Sequence, residues 1–207
     1  MLDKLILRYP ALNVCKEDIS NAYELMKSAF QNKAVILACG NGGSASDAEH
    51  FVGELMKTFK LERPLPEDLQ GRLVRNFKDE GKYLAENLQR SLPAISLVSQ
   101  TSLITAIGND VSADLIFAQQ VIGYGRPGDI LLAISTSGNS RNILNAIYTA
   151  KAIKMKVIGL TGHTGGKMKK YCDVTICVPA DETPQVQELH LPLYHTLCTM
   201  LEEYFFS

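Results

Sequence analysis

The chain has 207 residues and a formal net charge of −1, and 46% of its residues are apolar while 21% are charged. This length and balance predict one globular domain, residues 1–207, with a sizeable core. A charge so close to zero argues against wholesale binding to nucleic acid or to an anionic membrane surface, although a small anionic ligand remains compatible with it.

Five short apolar runs, each followed by turn residues, predict the strands of a parallel sheet. They lie at residues 34–39, 94–98, 129–134, 156–160 and 174–178. Each run is almost continuously apolar, as expected for strands that are covered on both faces. Amphipathic stretches of helical length occupy residues 17–31, 44–56, 140–153 and 186–204. The alternation predicts an α/β fold with about five parallel strands flanked by helices.

Three segments depart from this alternation. The helix predicted at 17–31 has no preceding strand to cross over from, so it forms an N-terminal extension that could pack on a partner subunit. Residues 57–92 are too long for a simple connection, and a helix is predicted there at 82–90, ended by Pro93. Pro192 lies within the predicted C-terminal helix, where it predicts a kink or a local break.

Cysteine usage and the absence of targeting signals indicate the cellular compartment of the protein. The five cysteines lack C-x-x-C spacing, which predicts reduced and mostly buried thiols rather than disulfides or a zinc site. The first residues lack the basic and apolar regions of a signal peptide, and no apolar run approaches the roughly 20 residues of a membrane helix. A cytoplasmic protein without membrane contact is therefore expected.

A glycine-rich turn follows the first predicted strand and opens a helix. Its ligand candidates are Asn41, Gly42, Gly43 and Ser44. Such a turn directs backbone N–H groups and the positive helix end toward an anion. The alternative is a tight turn with a serine cap. The turn lacks the glycine and lysine spacing of nucleotide-binding loops, which disfavours a nucleoside triphosphate or a dinucleotide.

A second small polar turn follows the third predicted strand. Its hydroxyl candidates are Ser135, Thr136, Ser137 and Ser140. Consecutive hydroxyls beside a glycine can surround one phosphate without a lysine, whereas the alternative is a plain helix cap at Ser140. Ligands of open α/β sheets bind at the carboxyl ends of the strands, where both turns are expected. Two such turns in one sheet favour a phosphate site.

Two predicted helices carry groups that could converge on a metal or a substrate. His50 and Glu54 are four residues apart and share one face of a helix. Gln187 and His195 are eight residues apart and lie near one face of the C-terminal helix. Imidazole and carboxylate ligands suit zinc. Each residue taken alone has an ordinary structural interpretation, as a buried histidine or a surface carboxylate.

Together these motifs resemble the phosphoheptose isomerases of the SIS (sugar isomerase) family. The likeness rests on Gly-Asn-Gly-Gly-Ser, Asp-Ala-x-His-Phe-x-x-Glu-Leu, Ser-Thr-Ser-Gly-Asn-Ser and Gln-Glu-x-His-x-x-x-x-His. It covers nearly the whole chain outside residues 57–92, and about 65–91 resemble an insertion absent from compact members. The resemblance implies a single SIS domain, homotetramers with active sites built across subunits, and a phosphosugar substrate in a heptose pathway for surface polysaccharide.

The resemblance also implies roles for individual residues. Glu54 would be the base that removes a proton beside a carbonyl to give an enediol, and His195 the acid/base for the oxygens. Zinc would be held by His50, Glu54, Gln187 and His195. A carboxylate that binds metal is a poorer base, so the two roles of Glu54 compete. Asp110 matches a Gly-Asn-Asp of the family and would contact substrate, although a turn role is the alternative.

Three departures from the pattern of the phosphoheptose isomerases bear on which sugar is the substrate. Thr58 stands where many phosphoheptose isomerases have arginine, Pro184 stands where they have aspartate, and residues 65–91 are additional. An isomerase of a pentose or hexose phosphate is therefore an alternative. Another is a non-catalytic SIS protein that binds a replication-initiator partner, but that homologue lacks the residues matching Glu54 and His195. Sugar-sensing regulators and amidotransferases are disfavoured, since the chain has no helix-turn-helix region and no N-terminal cysteine.

Overall fold

The computed structural model describes residues 1–207 and contains eight α-helices around one five-stranded sheet. The strands are β1 (Ile36–Cys39), β2 (Ala94–Ser96), β3 (Ile130–Ile134), β4 (Lys156–Thr161) and β5 (Val174–Cys177). The helices are α1 (Leu2–Arg8), α2 (Lys16–Gln31), α3 (Gly43–Met56), α4 (Glu67–Asn87), α5 (Thr101–Ile107), α6 (Ile116–Tyr124), α7 (Arg141–Ala152) and α8 (Thr183–Phe206). None of these helices is both long and apolar enough to cross a bilayer.

All five strands are parallel and lie in the order β2-β1-β3-β4-β5, which confirms the predicted α/β fold. The pleat sends alternate side chains into two cores. Ile36 and Ala38 join a core covered by α1, α2, α3 and α8, while Leu37 and Cys39 join one covered by α6 and α7. Because β1 and β3 are neighbours, the turns that follow them emerge side by side at the carboxyl edge.

The N-terminal helices pack on the chain's own sheet. Leu12, Ile19 and Met26 are fully buried in the core beneath α2 and α8. The apolar face of this region is therefore covered by the chain itself, and contact of the region with a partner subunit stays a prediction. Leu7 and Val14 remain 85% and 74% exposed on the opposite side.

Residues 65–91 connect α3 to β2 and project from the rest of the domain. Their base is fixed by a backbone bond from Arg90 to Arg63 and by a bridge between Pro64 and Gln89. The predicted helix at 82–90 is wrong in its bounds, since α4 runs from Glu67 to Asn87 and ends before Leu88. At Lys78 the backbone adopts φ 49° and ψ −119°, a local interruption inside α4.

Helix α8 continues through Pro192 without a break, so the predicted local break is wrong, while the alternative of a kink stays a prediction. Proline lacks an N–H and removes one helical hydrogen bond, but packing on both sides holds the helix together. Leu193, Tyr194 and Leu197 are almost fully buried just beyond it. The continuous helix lets one element contribute to both parts of the site described below.

Candidate active site

A polar cavity of about 270 Å³ lies at the carboxyl edge of the sheet, between the turns that follow β1 and β3. Its polar lining comes from both turns and from the start of α8: Asn41, Gly42, Gly43, Ser44, Ser135, Thr136, Ser140, Thr183 and Gln187. The structure thus brings together most residues of the two predicted phosphate turns. Ser137 is outside this lining, and its hydroxyl accepts a bond from the backbone N–H of Asn139.

Three helices begin at this cavity without a side-chain cap. The N-terminal ends of α3, α7 and α8 contribute Ser44, Ser140 and Thr183 to its lining. The Ser140 hydroxyl does not cap α7; it accepts a bond from the Ser135 hydroxyl at 3.1 Å. Helix N-termini carry partial positive charge and free N–H groups. No lysine or arginine lines the cavity, so an oxyanion here would be held by backbone dipoles and hydroxyls.

Two residues that the sequence did not single out help to shape this cavity. Asn142 exchanges two hydrogen bonds of 2.9 Å with Asn41 and fixes the glycine-rich turn against α7. Thr183 places its hydroxyl 3.5 Å from that of Thr136. The side-chain amide of Gln187 packs so closely on Gly43 that a Cβ there would lie 2.6 Å from it. These contacts join α3, α7 and α8 around one space.

Gly138 holds the second turn in a conformation that other residues rarely adopt. Its φ is +64°, and a Cβ there would lie 2.2 Å from the Gly165 carbonyl oxygen. We expect Gly138→Ala to displace the turn and weaken binding of inorganic phosphate roughly 10-fold or more, since such strain costs on the order of 1–3 kcal/mol. Titration followed by ³¹P NMR would measure this. Gly123→Ala is the control, because a Cβ at Gly123 meets open space, and equal affinity in the two variants would contradict the expectation.

A cluster of ionisable side chains lies where α3 packs on α8. His50 Nε2 is 3.1 Å from Glu54 Oε1 and 3.3 Å from His195 Nε2. The Glu54 side chain is only 11% exposed, and its second oxygen accepts a bond of 3.3 Å from Lys57. The predicted pairing of His50 with Glu54 on one helical face is therefore present. Lys57, which was not among the predicted site residues, contacts the candidate base directly.

His195 is partly buried beside the Phe59 ring, with ring centroids 5.4 Å apart. Burial and the neighbouring His50 lower the pKa of His195, which favours the neutral imidazole. A cleft of about 370 Å³ between α1 and α8 opens onto His195, and Lys4, Arg8 and Lys60 contribute to its walls. A neutral imidazole that faces solvent can both accept and donate a proton.

The remaining candidates lie apart from this cluster. Asp110 is exposed in a π-helical turn after α5, where it accepts a bond from the Asn109 side chain. It lines neither of the two cavities just described. His190 is fully buried, and its Nε2 lies 3.4 Å from the Thr161 carbonyl oxygen. Burial lowers the pKa of His190 to about 4, which is typical of a structural histidine.

The donor atoms of the cluster suit zinc in type and in spacing. Tetrahedral zinc with nitrogen or oxygen ligands at about 2.0–2.1 Å separates neighbouring donors by about 3.3 Å. The distances from His50 to Glu54 and to His195 match this value. However, no three histidine, cysteine, aspartate or glutamate side chains of the chain surround one point as a ready-made metal site. Gln187 lies at the polar cavity, so zinc binding would require the four side chains to draw together.

Helices α3 and α8 both extend from the polar cavity to the His50 cluster and set the spacing between these two parts of the site. Gln187 and His195 lie eight residues apart on α8, and Gly43 and His50 lie seven apart on α3. At 1.5 Å per residue both spacings amount to about 10–12 Å. A ligand that reaches from the polar cavity to the cluster must therefore carry its anionic group several carbon atoms away from the reacting ones.

Comparison with known proteins shows the family of the chain. The family model of the SIS domain matches residues 11–83 and 84–162. The chain is 41% identical over 192 residues to a phosphoheptose isomerase of Rhodospirillum rubrum, covering 93% of this chain and 88% of that one. It is 40% identical over 195 residues to the phosphoheptose isomerase of Helicobacter pylori strain P12, with 94% and 88% covered.

Solved structures show the same likeness. Phosphoheptose isomerase GmhA from Neisseria gonorrhoeae superposes with a TM-score of 0.75 at 36% identity, covering 97% of this chain and 94% of that one. A phosphoheptose isomerase from Francisella tularensis superposes with a TM-score of 0.79 at 35% identity, with 95% and 91% covered. The fold is thus shared, over nearly the whole chain, with proteins that bear the name of one activity.

Proposed function

The chain belongs to the phosphoheptose isomerases of the SIS family and is a sugar-phosphate isomerase, and from this premise we propose that it converts sedoheptulose 7-phosphate to D-glycero-D-manno-heptose 7-phosphate. The observation that carries the proposal is the identity of 41% and 35% to two phosphoheptose isomerases over nearly the whole chain. The polar cavity and the His50 cluster also lie seven to eight residues apart along α3 and α8, a helical rise of about 10–12 Å. With carbon–carbon bonds of about 1.5 Å, a phosphate on the seventh carbon suits this span better than one on the fifth.

The phosphate occupies the polar cavity in this proposal. The N-terminal ends of α3, α7 and α8 supply positive potential, and the hydroxyls around Ser135 and Thr136 donate hydrogen bonds. Asn41 faces the sugar. Since no cationic side chain lines the cavity, binding depends on the backbone geometry of the two turns.

Proton transfer takes place at the cluster. Glu54 removes a proton from C1, and the electron pair left behind forms the C1–C2 double bond of an enediol while His195 donates its proton to the C2 carbonyl oxygen. His195 then regains a proton from the O1 hydroxyl, whose oxygen becomes the carbonyl oxygen at C1. Glu54 then returns its proton to C2, which leaves an aldehyde at C1.

Zinc is part of the proposal, with His50, Glu54, Gln187 and His195 as its ligands. When bound, it would polarise the substrate carbonyl and hold the hydroxyl oxygens in place. We expect removal of metal by a chelator to reduce turnover and readdition of zinc to restore it, with metal content followed by mass spectrometry. Full turnover by protein verified to be metal-free would show that the four residues act without zinc.

A homotetramer in the cytoplasm completes the proposal. The exposed apolar side chains Leu7, Val14, Phe77, Val111 and Ile122 are candidates for its subunit contacts. All five cysteines are free thiols, which suits a reducing compartment. Analytical ultracentrifugation would test the stoichiometry, for which a mass of four chains is expected.

The substrate is tested by incubating the purified protein with sedoheptulose 7-phosphate and following the appearance of the aldose by NMR. Ribulose 5-phosphate and fructose 6-phosphate serve as matched ketoses with shorter chains. We expect turnover of the heptose to exceed that of both others. Preferred turnover of a pentose or hexose phosphate would identify a different sugar-phosphate isomerase, and no turnover of any of the three by zinc-loaded protein would refute the heptose assignment.

A further inference from the structure

The hydroxyl of Tyr194 lies between two other side chains in the interior, beside the cluster. It donates to Asp47 Oδ1 at 3.3 Å and is 3.0 Å from His50 Nδ1. Tyr194 is only 1% exposed, and the second oxygen of Asp47 is buried without a partner. Asp47 is on α3 and Tyr194 on α8, so this chain of contacts also connects the two helices that carry the site.

The Tyr194 hydroxyl has one proton, and the partner that receives it sets the donor and acceptor roles in the hydrogen bonds with Asp47 and His50. A carboxylate only accepts hydrogen bonds, and a tyrosine hydroxyl has a single proton. When that proton is donated to Asp47, the tyrosine oxygen can only accept from His50. The proton of the neutral His50 ring must then be on Nδ1, and Nε2 is left with a lone pair.

We propose that Asp47 and Tyr194 are positioning residues that hold His50 as its Nδ1–H tautomer, so that Nε2 presents a lone pair to Glu54 and His195. The imidazole is fixed in orientation as well, since the Tyr194 ring lies edge-on to it with centroids 5.6 Å apart. The tautomer is a property of the chain alone, but its use in catalysis depends on the proposed isomerase function.

With this tautomer, the opposite side of the ring needs a proton or a cation from another group. A lone pair on Nε2 faces a carboxylate oxygen at 3.1 Å and another imidazole nitrogen at 3.3 Å. Acceptors this close are stable only when a proton or a cation lies among them, and His195 can supply one proton from its own Nε2. A histidine that binds metal usually donates its other ring N–H to a fixed acceptor. Tyr194, supported by Asp47, provides that acceptor.

The direct test is long-range ¹H–¹⁵N NMR of metal-free protein labelled at histidine nitrogen. The chain has four histidines, and the His50→Gln variant identifies the signals of His50. In the unmodified chain we expect Nδ1 of His50 to be protonated and Nε2 not. In Tyr194→Phe the acceptor is lost while the ring remains, and we expect the proton to move to Nε2, toward Glu54.

A second variant separates the hydrogen-bond chain from simple packing. In Asp47→Ala the Tyr194 hydroxyl is free to donate to Nδ1, so the proton of His50 is again expected on Nε2 although the tyrosine is present. Tyr83→Phe is the control, since Tyr83 is 63% exposed on α4. An Nε2–H tautomer in the unmodified chain, or an unchanged tautomer in both Tyr194→Phe and Asp47→Ala, would overturn the proposal.

Metal affinity gives an independent measurement. Competition of Zn²⁺ between the protein and a chromophoric chelator should show a loss of about 10–100-fold in Tyr194→Phe, the range usual for residues that support a metal ligand. If Tyr194→Phe changes the tautomer of His50 but leaves zinc affinity unchanged, the proposed support of a metal ligand by Tyr194 is overturned. An inactive protein with the expected tautomer would instead refute the isomerase function and leave this inference standing.

Discussion

Replacing Glu54 with glutamine should reduce turnover of sedoheptulose 7-phosphate by at least about 10²-fold, the lower end of what a positioned general base contributes. The amide has nearly the same shape as the carboxylate but cannot accept the proton from C1. The effect should fall on kcat, because Glu54 lies in the cluster and the phosphate turns lie elsewhere. KM should change little, which steady-state kinetics would show directly.

The matched control is Glu49→Gln on the same helix. Glu49 is exposed and accepts a bond from the Ser99 hydroxyl instead of facing the cluster. Its kcat should remain within a few-fold of the unmodified enzyme. Deuterium uptake adds a second measurement: in D₂O the product should carry deuterium at C2, and Glu54→Gln should abolish it. Normal turnover by Glu54→Gln would show that another group is the base.

The arrangement around Glu54 also explains why the missing arginine need not abolish activity. Thr58 stands where many phosphoheptose isomerases have arginine, but Lys57 places its ammonium group 3.3 Å from Glu54 Oε2. His50 approaches the other oxygen. The carboxylate is thus held between two side chains, and its reactive edge is oriented by residues on its own helix.

The sequence was most informative where one local pattern determines one element. The five strands were predictable because each is a short apolar run such as Ile130–Ile134, buried on both faces. The meeting of the two polar turns at one cavity was predictable because both follow strands of a parallel sheet. His50 and Glu54 were predictable as a pair because four residues make one turn of a helix.

The sequence was least informative where a contact depends on packing between distant segments. Tyr194 is adjacent to His195 in sequence and has the pattern of an ordinary core residue. Its role depends on Asp47, 147 positions away. The bounds of α4 were missed, and the structure buries only Gly81 and Ala85 of this helix, so little of it packs on the core. Asp110 was selected from a motif, and nothing in that motif specified that it would be exposed and apart from the cluster.

A buried ion pair at the far end of α3 should control the stability of the whole site. Arg63 Nε donates to Glu202 Oε1 at 2.8 Å, and both side chains are 0% exposed. The same guanidinium donates to the carbonyl oxygens of Leu55 and Glu54. Glu202 also accepts bonds from the backbone N–H groups of Phe59 and Lys60. One pair therefore ends α3, orders the segment after it and connects both to α8.

Removing one partner of this pair should cost about 3–5 kcal/mol in the free energy of unfolding, because the other charge is left buried and unpaired. We expect this for Arg63→Met and for Glu202→Leu, measured by urea unfolding at neutral pH. The double variant should be more stable than the sum of the two losses predicts, since it buries no unpaired charge. Additive losses would show that the two residues act independently.

The acid sensitivity of the pair follows from the pKa of Glu202. Burial acts to raise it, but the N–H groups of Phe59 and Lys60 and the Arg63 guanidinium outweigh burial and lower it. A carboxyl whose pKa is lower in the folded chain contributes stability above its unfolded pKa, and this is lost as the pH falls through the folded value. The unmodified chain should therefore lose stability in acid more steeply than the double variant. Because Arg63 binds the carbonyl of Glu54 itself, the same acid range should also loosen the helix that positions the base.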